Sequence, residues 1–155
     1  MKRFLILICF ATVVSVTVGC GTIRNKNNAT MAHVQQLSKA EFLQHIADFE
    51  GSSSEWKYLG TKPAIVDFYA DWCGPCRALA PALEEVAAEY KGRINVYKVN
   101  VDREQELAAA FDVRSIPTLM FIPQQGAPEI FRGTMTAEQL RRHVESVLLH
   151  PTAAK

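Results

Sequence analysis

The chain has 155 residues, of which 48% are apolar and 21% are charged, a composition typical of a globular protein and not of a disordered one. This length suits a single domain with enough residues for a hydrophobic core. The formal net charge is +1 and no cluster of Lys and Arg follows Arg3, so no nucleic-acid-binding surface is expected.

The first 20 residues resemble a bacterial export signal. Lys2 and Arg3 precede an apolar stretch at 4–18, which has the length of a signal-peptide core and is short for a membrane-spanning helix. It ends at Thr17-Val18-Gly19-Cys20, which is similar to a lipobox, so we expect a lipoprotein signal peptide and lipidation of Cys20. Ordinary signal cleavage and an uncleaved anchor are the alternatives. All three predict a domain outside the cytoplasm, in the periplasm or anchored to a membrane and facing the periplasm.

Past this segment, the sequence divides into a polar tether at 21–32, a domain at 33–150 and a short tail at 151–155. Apolar periodicity within the domain predicts five strands and four helices in the order βαβαβαββα. The predicted strands lie at 34–37, 64–69, 94–101, 118–122 and 129–132, and the predicted helices at 39–49, 74–90, 104–111 and 137–150. This order predicts one α/β domain with a central mixed five-stranded sheet flanked by four helices.

Local signals support several of these elements. Ser38 with Glu41, and Thr136 with Gln139, have the spacing of capping boxes at the start of the first and last helices. The strand at 64–69 is almost continuously apolar, which is typical of a central strand buried on both faces. The second helix has an apolar stripe made by Cys76, Leu79, Ala80, Leu83, Val86, Ala87 and Tyr90.

Trp56 and Tyr58 are two aromatic residues in the polar connection between the first helix and the second strand. They either pack this connection onto the domain or form a surface that binds a partner. The sequence leaves both interpretations open.

Cys73 and Cys76 lie three residues apart at the junction of the second strand and the second helix. This spacing allows a disulfide to close and reopen without refolding the chain. Cys73 is expected at the start of the helix, where unpaired N–H groups and the positive end of the helix dipole stabilise a thiolate. We therefore expect Cys73 to attack a substrate disulfide and Cys76 to resolve the resulting mixed disulfide.

A metal site is the main alternative for these two cysteines. Structural zinc needs four protein ligands, and the histidines stand apart in the sequence, as His33, His45, His143 and His150. None of them is expected beside Cys73 as the base of a cysteine protease. We expect neither a metal nor another cofactor.

Two charged residues occur within predicted strands. Asp67 is a lone carboxylate in the buried second strand, and Lys98 has the corresponding position in the third. If these strands are neighbours, the two side chains would form a buried pair in which Asp67 accepts the proton of Cys76. A purely structural ion pair and a register that exposes Asp67 are the alternatives. Ile116-Pro117 opens the fourth strand, where a proline requires a special turn and a cis bond would fit.

A resemblance to the thioredoxin family rests on two segments, Val66-Asp67-Phe68-Tyr69-Ala70-Asp71-Trp72-Cys73-Gly74-Pro75-Cys76-Arg77 and Val113-Arg114-Ser115-Ile116-Pro117-Thr118. It implies the thioredoxin fold, with Cys73 as the nucleophile and Cys76 as the resolving cysteine of a redox disulfide. It also implies that Asp67 is the buried proton acceptor beside Lys98, and that a cis Ile116-Pro117 bond faces the disulfide. The residues that this resemblance implies at the substrate surface are Trp72, Gly74, Pro75, Ile116, Pro117 and Gly133.

These residues predict a thiol-disulfide oxidoreductase that reduces disulfides of substrate proteins. Gly74-Pro75 resembles the reducing members of the superfamily, whereas strong oxidants such as DsbA usually carry Pro-His. One alternative is a disulfide oxidase or isomerase, because the upstream partner sets the direction in an oxidising compartment. Another is a binding or holdase module that uses the apolar surface at Trp72 and Pro117. For an exported monomer, we expect electrons from a membrane carrier of the DsbD or CcdA type.

Overall fold

The structure is a computed structural model that describes residues 33–51 and 55–150. The predicted signal peptide with Cys20, the tether at 21–32 and the tail at 151–155 lie outside the described residues and stay predictions. Within the described ranges, no helix is both long enough and apolar enough to cross a membrane.

Five strands and four helices follow one another in the predicted order. They are β1 (Val34–Gln36), α1 (Lys39–His45), β2 (Ala64–Tyr69), α2 (Gly74–Glu89), β3 (Asn95–Asn100), α3 (Gln105–Ala110), β4 (Thr118–Ile122), β5 (Glu129–Arg132) and α4 (Ala137–His143), which a π-helical stretch (Val144–Leu149) continues. Both predicted capping boxes are present, because the Ser38 and Thr136 hydroxyl groups accept from the amides of Glu41 and Gln139.

α1 and α2 differ in detail from the prediction, and the last predicted helix divides into α4 and the π-helical stretch. α1 ends at His45 rather than near residue 49, because the amides of Ile46 and Ala47 both donate to the carbonyl of Phe42, at 2.8 and 3.1 Å. In α2, Ala80 is exposed, although its spacing assigned it to the apolar stripe. It lies at the margin of that stripe, which the sheet leaves uncovered.

The sheet has the strand order β1-β3-β2-β4-β5. β1 and β2 both pair with β3 in parallel, β4 pairs antiparallel with β2, and β5 pairs antiparallel with β4. The predicted mixed sheet is therefore confirmed. β2 is its central strand and is buried from Ala64 to Phe68, as its continuous apolar sequence predicted.

Hydrophobic cores lie on both faces of the sheet, because successive side chains of a strand point to opposite faces. On one face, Ile65 and Leu119 pack against residues of α2, α4 and the π-helical stretch. On the other, Val66 and Phe68 pack against α1 and α3. Asp67 alternates with these residues and therefore lies on the face that α2 covers.

The parallel strands fix the two ends of the domain. β1 and β2 begin beside the start of β3, with Val34 opposite Val96 and Ala64 opposite Asn95. β2 ends at Tyr69, at the other end of the sheet, and leads within four residues to Cys73. A strand of this length spans roughly 20 Å, so the start of β1 and the start of α2 lie at opposite ends of the sheet.

Candidate active site

The start of α2 carries a disulfide between Cys73 and Cys76, with an S–S distance of 2.05 Å. Cys73 is the N-cap of the helix, and its Sγ accepts a hydrogen bond from the amide of Cys76 at 3.1 Å. Pro75 lies in the first turn, where a missing N–H leaves no intrahelical bond unmade. The two cysteines are equally buried, each with 3% of its surface exposed. Exposure therefore does not distinguish them, whereas the hydrogen bond and the helix end favour negative charge on the sulfur of Cys73.

The loop before β4 packs against this disulfide. Ile116 contacts the small buried cluster formed by Ala70, Cys73 and Cys76. The Ile116-Pro117 bond is cis, as the family resemblance implied. Among the described residues, no hydrogen bond uses the N–H or the C=O of Ile116, so both groups are free to pair with an extended chain.

Gly133 joins the end of β5 to this loop. Its amide donates to the carbonyl of Pro117 at 2.9 Å. The φ angle of Gly133 is 116°, a backbone conformation that a residue with a Cβ rarely adopts. The predicted substrate residues Ile116, Pro117 and Gly133 are thus brought together beside the disulfide.

Asp67 is buried in β2, with 5% of its surface exposed. Removal from water raises the pKa of its carboxyl group from an ordinary value of 3.8 to about 7, although the charge of Lys98 acts in the lowering direction. Its Oδ1 atom has no hydrogen-bond partner among the described residues. This combination gives a carboxyl group that can gain and lose a proton near neutral pH.

Lys98 is the register partner of Asp67 on the adjacent parallel strand. No ion pair within 4.0 Å joins the two side chains in the described part of the chain. The Lys98 ammonium lies instead over the ring of Tyr69, at 5.7 Å from its centroid. Asp67 and Lys98 are therefore neighbours, as predicted, but in the described part of the chain their side chains do not form a direct buried ion pair.

Trp72 stands out from the surface next to Cys73, with 68% of its area exposed. Its indole N–H donates to the Asp102 carboxylate at 2.9 Å, and the amide of Asp102 donates to the side chain of Asn100 at 3.0 Å. The Asn100 amide group donates in turn to Asp71 at 3.2 Å. These bonds fix the orientation of the exposed indole beside the disulfide. Gly74 and Pro75 are exposed on the same turn.

Comparison with known proteins agrees with this geometry. The family model described as Thioredoxin matches residues 33–146. The chain belongs to the thioredoxin family. It is 41% identical to the thioredoxin of Borreliella burgdorferi over 97 residues, which cover 63% of this chain and 82% of that protein. It is 32% identical to the thioredoxin of Pseudomonas aeruginosa over 114 residues, or 74% and 95% of the two chains.

A solved structure supports the same assignment. The crystal structure of chloroplastic thioredoxin z is similar to this chain with a TM-score of 0.62 and 32% identity, over 72% of this chain and 91% of that one. The thioredoxin fold is confirmed, and this thioredoxin is a protein-disulfide oxidoreductase that acts by dithiol–disulfide exchange at the Cys73–Cys76 pair.

Three residues of this thioredoxin site were missed by sequence reasoning, namely Asp71, Asn100 and Asp102. A signal for them existed, since Asp71 follows the predicted second strand and Asn100 and Asp102 lie at the end of the predicted third strand. Parallel neighbouring strands bring their carboxyl ends to the same edge of a sheet, which is where binding sites of α/β proteins form.

The connection before β2 folds onto the second core, so the packing interpretation of its aromatic residues is supported. Trp56 lies edge-on to the ring of Phe111, with centroids 6.1 Å apart, and Tyr58 packs in the same cluster. The Tyr58 hydroxyl donates to the carbonyl of Lys62. A Cβ on Gly60 would lie 2.2 Å from that hydroxyl oxygen, so a larger residue at this position would displace the Tyr58 ring.

The histidines of this thioredoxin do not gather with the cysteines. In residues 33–51 and 55–150, no group of three or more His, Cys, Asp and Glu side chains is arranged to hold a metal ion. His143, for example, stacks against the ring of Phe121 with centroids 5.1 Å apart.

Proposed function

We propose that this thioredoxin reduces the disulfides of substrate proteins outside the cytoplasm. The observation that carries the reaction is the start of α2, where the helix N-terminus and the Cys76 amide both favour a thiolate on Cys73. The reducing direction is proposed from Gly74-Pro75, which resembles the reducing members of the superfamily. A stabilised thiolate in the reduced form makes Cys73 the attacking sulfur.

The exchange proceeds in two steps. In the reduced protein, the Cys73 thiolate attacks one sulfur of the substrate disulfide, a mixed disulfide forms, and the other substrate sulfur leaves as a thiolate that takes up a proton. Cys76 then loses its proton and attacks the Sγ of Cys73, which releases the second substrate thiolate. The substrate gains two electrons and two protons, and the Cys73–Cys76 disulfide is formed.

Asp67 is the proposed acceptor of the Cys76 proton. The support for this role is its burial on the face of the sheet under α2 and a pKa raised to about 7 by desolvation. Lys98 is proposed to assist by holding positive charge near the carboxylate. Asp67→Asn should slow the reduction of a disulfide substrate, whereas Asp112→Asn, at an exposed carboxylate, should leave the rate unchanged.

The proposed substrate surface surrounds the disulfide. The free N–H and C=O of Ile116 are proposed to pair with the substrate backbone as a short strand. The exposed residues Trp72, Gly74 and Pro75 would contact the substrate on one side of the disulfide. On the other side, Pro117 and Gly133 would support the Ile116 loop.

The location outside the cytoplasm is proposed from the first 20 residues. Lys2 and Arg3, the apolar stretch at 4–18 and the similarity of 17–20 to a lipobox support export and lipidation of Cys20. An exported reductase must receive electrons across a membrane, so its proposed donor is a carrier of the DsbD or CcdA type. Mass spectrometry of the mature protein tests the anchor, since an unmodified amino terminus would contradict lipidation.

The reducing direction is tested by the reduction potential and by trapping. Equilibration with glutathione should give a potential in the range of reducing thioredoxins, about −270 mV, and a value close to the roughly −120 mV of strong oxidants would support the oxidase alternative. A Cys76→Ser variant in cells should retain substrates as mixed disulfides on Cys73, whereas Cys73→Ser should retain none. Full biological activity of the double Cys73→Ser, Cys76→Ser variant would support the binding alternative instead.

A further inference from the structure

Three neighbouring strands align a row of polar side chains next to the active site. Gln36 on β1 is the register partner of Lys98 on β3, and Lys98 is the register partner of Asp67 on β2. Register partners on neighbouring strands point to the same face of the sheet. The row therefore runs from the exposed edge of the sheet, at Gln36, to the buried carboxyl group of Asp67.

Tyr69 contacts two residues of this row, Gln36 and Lys98. It lies two residues after Asp67 and so points to the same face, and it also packs against the cluster that contains Cys73 and Cys76. Its hydroxyl donates to the Oε1 atom of Gln36 at 3.0 Å, and the ammonium of Lys98 lies 5.7 Å from the centroid of its ring. The hydroxyl end of the ring is thus fixed by Gln36 on β1, and the face of the ring is turned toward the Lys98 ammonium.

We propose that Tyr69 and Gln36 are positioning residues that hold the Lys98 ammonium beside the Asp67 carboxylate. The inference rests on the proposed role of Asp67 as the proton acceptor. A lysine side chain has four rotatable bonds and a strongly hydrated head, so an unrestrained Lys98 would move toward water. The face of an aromatic ring attracts an ammonium group, and a ring that is itself hydrogen-bonded retains that group in one place.

The position of the Lys98 charge affects the pKa of Asp67 because few other charged groups lie near this carboxyl group. On the neighbouring strand β4, its register partner is the apolar Leu119. On α2, the titratable groups that face this side of the sheet near the site are Cys73 and Cys76, which carry no charge as a disulfide. Among the described residues of the oxidised protein, the charge of Lys98 therefore opposes the larger effect of desolvation on the pKa of Asp67.

The test is an NMR titration of the Asp67 carboxyl carbon in the oxidised protein. Tyr69→Leu should raise the pKa of Asp67 by about half a unit, because a looser Lys98 stabilises the carboxylate less. Lys98→Met should raise it at least as much. The decisive measurement is the double variant, in which Tyr69→Leu should add no further shift once Lys98 is absent.

Two further variants separate positioning from structural damage. Gln36→Leu changes only an exposed residue of the edge strand and should shift the pKa of Asp67 in the same direction as Tyr69→Leu, by a smaller amount. Tyr97→Leu alters a tyrosine on the opposite face of the sheet and should leave that pKa unchanged. An unchanged or lowered pKa in Tyr69→Leu, or an equal shift with and without Lys98, would overturn the proposal. If Tyr69→Leu does not fold, an unchanged pKa in Gln36→Leu overturns it.

The same titration distinguishes this inference from the proposed function. It is made on the oxidised protein without substrate, so it does not depend on whether the protein reduces disulfides in the cell. A protein that acts as an oxidase would give the same NMR result, and a reductase in which Tyr69 has no effect on Asp67 would contradict only the positioning proposal.

Discussion

Asp67→Asn is expected to change the pH dependence of stability in a way that can be calculated from the structure. In the unfolded chain this carboxyl group titrates near its ordinary pKa of 3.8, and in the folded protein desolvation raises the pKa to about 7. Between these values the unfolded chain releases the proton while the folded protein retains it, so rising pH favours unfolding. The stability that the protonated Asp67 carboxyl group contributes is fully present below pH 3.8 and is lost as the pH rises through 7.

The size of this loss follows from the two pKa values. A difference of about three pKa units, at about 1.4 kcal/mol for each unit, amounts to about 4 kcal/mol. The amide introduced by Asp67→Asn has no proton to release in this pH range, so the variant should lack this loss. We expect the two proteins to have similar stability near pH 4 and the variant to be more stable by about 4 kcal/mol near pH 8.5.

The assay is denaturant unfolding of the oxidised proteins at several pH values, analysed with a common slope. Asp112→Asn is the matched control, because its carboxylate is exposed and its pH dependence should follow that of the wild type. Equal loss of stability with rising pH in the wild type and in Asp67→Asn would refute the assignment of a raised pKa to this buried group.

Three further outcomes are expected. Asp102→Ala removes the hydrogen-bond acceptor of the Trp72 indole. It should raise the KM for a protein disulfide about threefold with little change in kcat, and it should change the fluorescence of Trp72. An unchanged KM would show that the fixed indole does not contribute to substrate binding. Gly133→Ala should lower the free energy of unfolding by about 1–3 kcal/mol, because the φ angle of Gly133 is 116°. Urea unfolding measures this loss, with Gly74→Ala as the control, since the Cβ added at Gly74 meets nothing closer than 3.9 Å. Equal stability of the two variants would contradict a strained backbone at Gly133. Trp56→Ala should lower the free energy of unfolding by about 2–3 kcal/mol through loss of packing against Phe111. The folded fraction should reduce disulfides at an unchanged rate. A slower rate at unchanged stability would favour the partner-binding interpretation.

Much of the fold was predictable because periodicity and capping act locally. The continuous apolar run of β2 identified the central strand, and the Ser38 and Thr136 capping boxes identified the starts of α1 and α4. The end of α1 was not predictable in the same way. Phe49 has the right spacing for the helix and packs against Phe42, but it does so from the loop that follows the helix.

The site was predictable where it is contiguous in sequence and less so where it depends on strand register. Cys73, Cys76 and the cis Ile116-Pro117 bond follow from two short segments. The position of the Lys98 ammonium depends on Tyr69, whose hydroxyl is fixed by a residue 33 positions earlier in the chain. No local pattern carries that information, because it arises only when β1, β3 and β2 pair in this register.

The direction in which the chain enters its sheet has a consequence for how the protein meets other molecules. β1 begins at the end of the sheet opposite to the start of α2, and the amide of His33 is held there by the carboxylate of Glu84 at 2.9 Å. In a domain attached through the residues before His33, the disulfide would therefore lie at the end of the sheet opposite to the point where the chain enters the domain. Its reactive end would then be free to meet large folded partners in the space beyond the surface that holds it.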